Sequence, residues 1–196
     1  MFKIIWDKEY NGIKLTMSSA GEALSYGVIS FYSEQVRLIK RLLKADEELK
    51  AYQDKVKEIR VGSVDAFQGM EFDVIYLSVV RTNKKEPMYT DPELKKQIPV
   101  DFSVLNQNEL ELENDKKALK KYRDYKEQVG LQNYGFLISE NRLCVSLSRQ
   151  KKLLIVVGDR NIFSAGKWDK LAEVCVPGMW KLLKLCEREG VIVDGT

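Results

Sequence analysis

A cluster of polar residues lies directly before an apolar segment in the middle of the chain. Asp65, Gln68, Gly69 and Glu71 come close together, and residues 74–80 are apolar and rich in β-branched side chains. A glycine lets the backbone approach a ligand closely, and its N–H can point at a phosphate oxygen. The Glu71 carboxylate suits a ribose hydroxyl better than a phosphate, because it accepts hydrogen bonds and repels anions. Asp65 and Gln68 fit either a ligand contact or the capping of a turn.

A second segment carries cations suited to a phosphate. Arg149 and Lys151 follow a short predicted helix, whose apolar face includes Leu143 and Leu147, and they precede the apolar segment 153–157. The helix dipole favours cations at a helix end, which accounts for part of this pattern. The planar fork of an arginine also suits a γ-phosphate and the charge that develops in phosphoryl transfer.

The elements that must position these residues form an alternating pattern. Apolar segments predict strands at 26–31, 59–64, 74–80 and 153–157, and a helix is predicted from Ser33 to about residue 50, with Leu42 on its buried stripe. Uniformly apolar strands separated by helices are typical of a parallel α/β sheet with helices on both faces. Ligands of such sheets bind in loops at the carboxyl ends of the strands. Residues 4–6 and 191–193 are compatible with further short strands.

The pattern changes between residues 82 and 135. Pro87, Pro92 and Pro99 predict irregular structure, and residues 108–128 are densely charged with a sparse apolar set. We interpret 84–135 as a charged helix or helical hairpin inserted into the sheet domain. Its cations fit either a solvated surface or a contact with nucleic acid or a partner. These cations are Lys116, Lys117, Lys120, Lys121 and Arg123.

Composition narrows the possible functions. The chain has 196 residues, of which 44% are hydrophobic and 31% charged, with a formal net charge of +3 that permits contact with a polyanion without indicating one. It contains no histidine, which excludes histidine acid–base catalysis and most catalytic zinc sites, so no metal site is predicted. Three cysteines without a CxxC pair predict buried thiols in a reducing compartment. No apolar run approaches the ~20 residues of a membrane span, and no signal pattern opens the chain, so a cytoplasmic location without membrane contact is expected.

Three segments together resemble the motifs of superfamily-1 helicases, in the branch that contains the nonsense-mediated-decay helicase and its bacterial relatives. Motif IV is similar to GVISFYSEQVRLIKRLL, beginning at Gly27. Motif V is similar to SVDAFQGMEFDVIYLSVVR, beginning at Ser63, and motif VI to NRLCVSLSRQKKLLIVVGD, beginning at Asn141. The motifs occur in the family's order. The resemblance implies that most of the chain, apart from the insertion, is the second of two RecA-like lobes.

The resemblance assigns two sets of site residues. The set expected at the nucleotide is Gln35, Gln68, Gly69, Glu71, Arg149 and Lys151. The set expected at the nucleic-acid backbone is Tyr32, Ser63, Val64 and Asp65. Arg149 aligns with the arginine finger that reaches the γ-phosphate of ATP, and Gln68 aligns with a position that couples ATP to strand binding. Two departures are Ser148, where the family usually has threonine, and Gln150, where it usually has alanine.

The sequence lacks parts that ATP hydrolysis needs. It has no GxxxxGK[ST] loop, and no strand ending in the acidic pair that would hold Mg²⁺ is apparent. The resemblance places both on an N-terminal RecA-like lobe of a longer protein. We therefore expect that lobe and single-stranded DNA or RNA as partners, and negligible ATP hydrolysis by this chain alone. Two alternatives are a degenerate lobe that binds nucleic acid or protein without turnover, and a metabolic nucleotide-binding enzyme, for which no GxGxxG fingerprint is present. The motor interpretation requires Arg149 and the turn of Gly69 and Glu71 to share one rim.

Overall fold

A computed structural model describes residues 22–47, 50, 57–80 and 86–192. The strands are β1 (Ser25–Ser30), β2 (Glu58–Ser63), β3 (Phe72–Ser78), β4 (Met88–Asp91), β5 (Lys96–Pro99) and β6 (Gln150–Val157). The α-helices are α1 (Ser33–Ala45), α2 (Phe102–Leu105), α3 (Lys116–Tyr134), α4 (Glu140–Leu147), α5 (Asn161–Ser164), α6 (Lys167–Cys175) and α7 (Pro177–Glu189). Short 3₁₀ helices lie at Val64–Phe67 and Gly135–Ile138. The candidate strand at residues 4–6 lies outside the described residues.

The chain divides into two compact units. The first unit takes the described residues up to 80 together with 144–158, and it contains β1, α1, β2, β3 and β6. The second takes the described residues of 81–143 and 159–192. The segment 84–135, predicted as an insertion, falls in the second unit.

The first unit is built on a parallel sheet with the strand order β2-β1-β3-β6. This confirms the predicted α/β class and a RecA-like sheet flanked by helices. All four predicted strands are present, with their ends moved by at most three residues. In this register Ser30 lies beside both Ser63 and Ser78, so these serines mark the carboxyl ends of three adjacent strands.

One face of the sheet packs against α1. Alternate side chains of β1 and β3 point to this face, and the Tyr26 and Tyr76 rings stack there with centroids 6.5 Å apart. Ile39 of α1 is buried in the same cluster, and Leu43 packs against it. Leu42, predicted on the buried stripe, is instead 55% exposed, because it lies about 100° around the helix from Leu43.

The opposite face carries the connection from β2 to β3. Phe67 is fully buried and packs against Phe72, with ring centroids 5.3 Å apart. A Cβ added at Gly27 would lie only 2.7 Å from Phe67 Cε1, so the ring occupies space that a side chain on β1 would fill. This contact holds the connection across the sheet as it passes from the carboxyl end of β2 to the amino end of β3.

The second unit contains a hairpin that the sequence analysis missed. Pro87, Pro92 and Pro99 predicted irregular structure, yet β4 and β5 pair antiparallel, with Met88 opposite Pro99. Pro99 is tolerated because it is the last residue of β5, where a missing N–H interrupts the ladder least. The predicted strand at 191–193 is wrong for residues 191 and 192, which have no regular structure, and residue 193 lies outside the described residues.

Helix α3 is the longest element of the second unit. A charged surface helix was predicted near residues 108–128, and α3 confirms a helix there, although it begins at Lys116 and ends at Tyr134. Tyr134 is fully buried, and its hydroxyl donates to the carbonyl oxygens of Ile162 at 3.0 Å and Trp168 at 3.3 Å. Across the ranges that the structure describes, no helix is long and apolar enough to cross a membrane.

Candidate functional site

The turn before β3 has a conformation that requires glycine. The Gln68 N–H donates to the Asp65 carbonyl at 3.4 Å, and the Met70 N–H donates to the Phe67 carbonyl at 3.1 Å. Gly69 between them has φ +76°, in the left-handed region that other residues rarely adopt. A Cβ built on Gly69 would meet no heavy atom within 4 Å. Glycine is therefore needed here for backbone conformation, and the main chain at Gly69 can be approached from outside.

Arg149 lies against this same turn. Its carbonyl oxygen accepts from the Phe72 N–H at 2.9 Å, which aligns the start of β6 with the start of β3. Its guanidinium Nη1 donates to the Met70 carbonyl at 3.4 Å. The two groups that the motor interpretation requires on one rim are thus adjacent. We call the turn 68–71 together with Arg149 and Lys151 the rim.

The Arg149 side chain is also tied to the end of α4. Its Nε donates to the Val145 carbonyl at 3.1 Å, and its Nη2 donates to Ser148 Oγ at 2.7 Å. The hydroxyl that Ser148 keeps in place of the family's threonine is therefore a hydrogen-bond partner of the arginine. Gln150 has an equally local role, since its Nε2 donates to the Leu147 carbonyl at 2.9 Å. That bond satisfies one of the carbonyls left without a partner at the end of α4.

Two lysines of β6 pair with carboxylates at the start of β3. Lys151 Nζ lies 3.7 Å from Glu71 Oε2, and the side chains are 54% and 61% exposed, so this pair is loose and contributes at most about 1 kcal/mol. Lys152 Nζ lies 3.0 Å from Asp73 Oδ1, and the Asp73 side chain is only 18% exposed. Glu71 thus remains accessible, whereas Asp73 is held in place.

Asp73 joins three strands at the amino edge of the sheet. Its Oδ2 accepts from the Ser25 N–H at 2.9 Å and from Ser25 Oγ at 2.8 Å. Burial alone would raise the pKa of Asp73, but the Ser25 hydrogen bonds and Lys152 outweigh it and lower the pKa to about 2. Asp73 was not predicted as a site residue from the sequence. A carboxylate at the start of an otherwise apolar strand was the available signal.

The carboxyl edge of the sheet holds the rest of the predicted site. The Tyr32 N–H donates to Ser30 Oγ and Gln35 Nε2 donates to Ser78 Oγ, both at 3.4 Å. Ser30 and Ser78 belong to a polar row that was not predicted from the sequence, and each is the last residue of its strand. Of the predicted strand-contact set, Ser63 closes β2, Val64 is buried at 3% exposure, and Asp65 is exposed.

The predicted residues therefore divide between opposite edges of one sheet. The rim lies at the amino ends of β3 and β6, whereas ligands of parallel α/β sheets usually bind at the carboxyl ends. Phe72 and Ser78 are six residues apart along β3, which corresponds to roughly 20 Å. Gln35 bonds to Ser78 and so does not join Glu71 and Arg149.

Neither a metal cluster nor a disulfide occurs among the residues that the structure describes. They contain no group of three or more His, Cys, Asp or Glu that could hold a metal ion. All three cysteines are free. Cys175 is buried, as predicted, and burial raises its pKa to about 12, but Cys144 is exposed and Cys186 half-buried, which corrects the prediction for those two.

Comparisons with known proteins give consistent matches. The model of a family described as "AAA domain" matches residues 11–161. The chain is 29% identical over 151 residues to "Putative helicase mov-10-B.1" of Danio rerio, covering 76% of this chain and 11% of that protein. It is 32% identical over 135 residues to "DNA polymerase alpha-associated DNA helicase A" of Saccharomyces cerevisiae, covering 69% and 12%. It is 29% identical over 147 residues to "RNA helicase Mov10l1" of Homo sapiens, covering 75% and 8%. The chain spans about a tenth of the length of these relatives.

Proposed function

The chain belongs to the AAA-domain family, and from that premise we propose that it is the second motor lobe of an ATP-dependent nucleic-acid helicase. The helicase relatives confirm the resemblance to superfamily-1 helicases that the three motifs predicted. An N-terminal RecA-like lobe would supply the phosphate loop and the Mg²⁺ ligands. ATP would then bind between the two lobes, and closure around it would move this lobe along a single strand.

The rim is the observation that carries this proposal. Arg149 Nη1 lies 3.4 Å from the Met70 carbonyl, and Lys151 Nζ lies 3.7 Å from Glu71, so a guanidinium, an accessible glycine backbone and an exposed carboxylate meet at one place. Such a set suits a nucleoside triphosphate. Gly69 would present its N–H to a phosphate, Glu71 would accept from the ribose, and Arg149 would stabilise the charge that develops on the γ-phosphoryl group.

The carboxyl edge is the proposed contact with nucleic acid. There Ser63 is the last residue of β2, and Tyr32 immediately precedes α1. Both lie at the edge of the sheet opposite the rim. A strand bound there would be held mainly through its phosphates and sugars, which carry no sequence information. The names of the relatives include both DNA and RNA helicases, so we propose single-stranded nucleic acid of either kind. We also propose a cytoplasmic location, which the three free thiols suit.

Strand-stimulated ATP turnover of the full-length, two-lobed protein tests the proposal. We expect Arg149→Ala to lower turnover by about a thousandfold or more, because arginine fingers contribute on that scale. Arg41→Ala, on the exposed face of α1, is the matched control and should leave turnover unchanged. The 196-residue chain alone should hydrolyse ATP negligibly. Full turnover by Arg149→Ala, or robust turnover by the chain alone, would refute this function, and strand binding without any turnover would favour a non-catalytic module.

A further inference from the structure

The first two turns of α3 expose a group of lysines without ion-pair partners. Within the described part of the chain, no carboxylate oxygen lies within 4 Å of their ammonium groups. We call this group the lysine face, and its members are Lys116, Lys117, Lys120 and Lys121. Helix α3 as a whole has six cations and two carboxylates, so it is more positive than the complete chain at +3.

Local stability does not explain this placement. The positive end of the helix dipole lies at the N-terminus, where cations are unfavourable and acidic residues stabilise, yet the first turn of α3 contains no acidic residue. Lys116 and Lys120 are spaced i,i+4, as are Lys117 and Lys121, and like charges at that spacing destabilise a helix. Helix α1 has the usual arrangement, with Glu34 in its first turn and Lys44 in its last.

Two nearby acids are engaged elsewhere. The Asp115 carboxylate caps the helix by accepting from the N–H groups of Lys117 at 3.0 Å and Ala118 at 3.1 Å. Glu109 pairs with Arg123 at 2.5 Å. Two of the N–H groups at this end of α3 are therefore satisfied, and an anion arriving there would meet the four lysine side chains. A placement that opposes local stability and has no internal partner points to an external one.

We propose that the lysine face binds the phosphate backbone of a single-stranded nucleic acid. This inference rests on the proposed function and adds a second contact for the strand, in the second unit. A nucleic acid suits this surface better than an acidic protein for two reasons. Protein interfaces are depleted in lysine and enriched in aromatic residues, which the lysine face lacks. Flexible point charges also suit a repeated anion that is contacted without regard to sequence.

The test compares two variants of equal net charge. In the first, Lys116→Gln, Lys117→Gln, Lys120→Gln and Lys121→Gln are combined. In the control, Lys57→Gln, Lys96→Gln, Lys170→Gln and Lys181→Gln are combined, since these lysines are also exposed and unpaired among the described residues but lie apart in the chain. Binding of labelled oligo-dT and oligo-U to the 196-residue chain is measured at several salt concentrations.

We expect the lysine-face variant to lose at least tenfold in affinity at low salt, while the control changes by about threefold or less. Each phosphate contact of a single strand contributes about 0.7 to the slope of log affinity against log salt, so the slope should fall by up to about 3 in the lysine-face variant only. The same variant should unfold at an equal or higher temperature than wild type. Glutamine has a helix propensity close to that of lysine, and its introduction removes the unfavourable charges.

Several results would overturn the inference. These are unchanged binding by the lysine-face variant, an equal loss in the control, no binding of either strand by wild type at low salt, or competition by poly-glutamate as strong as by the oligonucleotides. The last result would identify an acidic protein as the partner. In the two-lobed protein, this variant should keep its strand-free ATP turnover and need more strand for stimulation. The effect of Arg149→Ala on ATP turnover therefore tests the proposed function independently of strand binding by the lysine face.

Discussion

The rim and the lysine face both concentrate positive charge, but they hold it in opposite ways. At the rim, Arg149 contacts the Met70 carbonyl and Lys151 contacts Glu71. On the lysine face, no cation has a carboxylate partner in the described part of the chain. We therefore expect the orientation of the Arg149 guanidinium to determine how the rim functions, because neighbouring oxygens hold its donors in one direction. On the lysine face we expect the total charge to determine binding, because flexible ammonium groups attract a polyanion through their summed field.

The largest expected effect comes from a substitution that keeps charge and removes direction. Arg149→Lys retains one positive charge but cannot bond Met70, Val145 and Ser148 at once, as the guanidinium does. We expect strand-stimulated ATP turnover of the two-lobed protein to fall at least ~100-fold, compared with about a thousandfold or more in Arg149→Ala. A loss of threefold or less would mean that charge alone is sufficient at the rim.

Backbone conformation at the rim gives the next largest effect. Gly69→Ala should lower the free energy of unfolding by about 1–2 kcal/mol, because alanine at φ +76° is strained even though its Cβ meets no atom. Gly166→Ala in the second unit is a matched control, with φ +53° and the same open surroundings. Chemical denaturation should show similar losses for both, and only Gly69→Ala should weaken ATP binding to the two-lobed protein. Equal ATP affinity in the two variants would remove Gly69 from the nucleotide site.

The ion pair between Asp73 and Lys152 should make the free energy of unfolding depend on pH in the acid range. The pKa of Asp73 is about 2 in the folded chain, below the ~3.9 of an unfolded aspartate. Its ionised form therefore stabilises the fold above pH ~4, and that contribution is lost as pH falls towards 2. We expect Asp73→Asn to reduce stability by about 1 kcal/mol at neutral pH and to make the loss between pH 4 and 2 less steep. Denaturation curves that decline in parallel would show that Asp73 is not responsible.

The smallest effect is expected where charge is kept on α3. Arginine at all four positions of the lysine face should leave the affinity for oligo-dT within about twofold of wild type, because phosphate contacts of this kind need charge more than a particular donor geometry. The assay is the same salt titration used for the glutamine variants. A tenfold change in either direction would show that these lysines are aimed like the rim residues, and the contrast between the two regions would disappear.

Much of the first unit could be predicted from sequence, because its strands are apolar runs that no other element fits. Val74, Ile75 and Leu77 are all nearly fully buried, as a continuous apolar segment requires in a covered parallel sheet. The end of the strands at which the candidate site lies was harder to predict. The general rule for α/β sheets places ligands at the carboxyl ends, whereas Arg149 enters β6 at its amino end. The motif resemblance predicted which residues share a site. Only the strand register of the structure showed at which edge of the sheet they lie.

The second unit was less predictable because its signals are weaker. Three prolines suggested irregular structure, and the short strands β4 and β5 lack the apolar alternation that marks a longer strand. The start of α3 depends on one side chain, Asp115, which caps the helix and sets its first residue eight positions beyond the start of the densely charged run. The exposure of Cys144 also depended on the orientation of α4, which a short apolar pattern does not determine.

The junction between α4 and β6 has a mechanical consequence. The side chains of Arg149 and Gln150 each donate to a carbonyl oxygen in the final turn of α4. These hydrogen bonds stabilise the chain where the helix ends and β6 begins. The Arg149 guanidinium itself donates to oxygens of Val145, Ser148 and Met70, so its position is fixed relative to the end of α4. In the proposed motor, the guanidinium would therefore approach the γ-phosphate through movement of this unit as a whole, and not through the ordering of a loop.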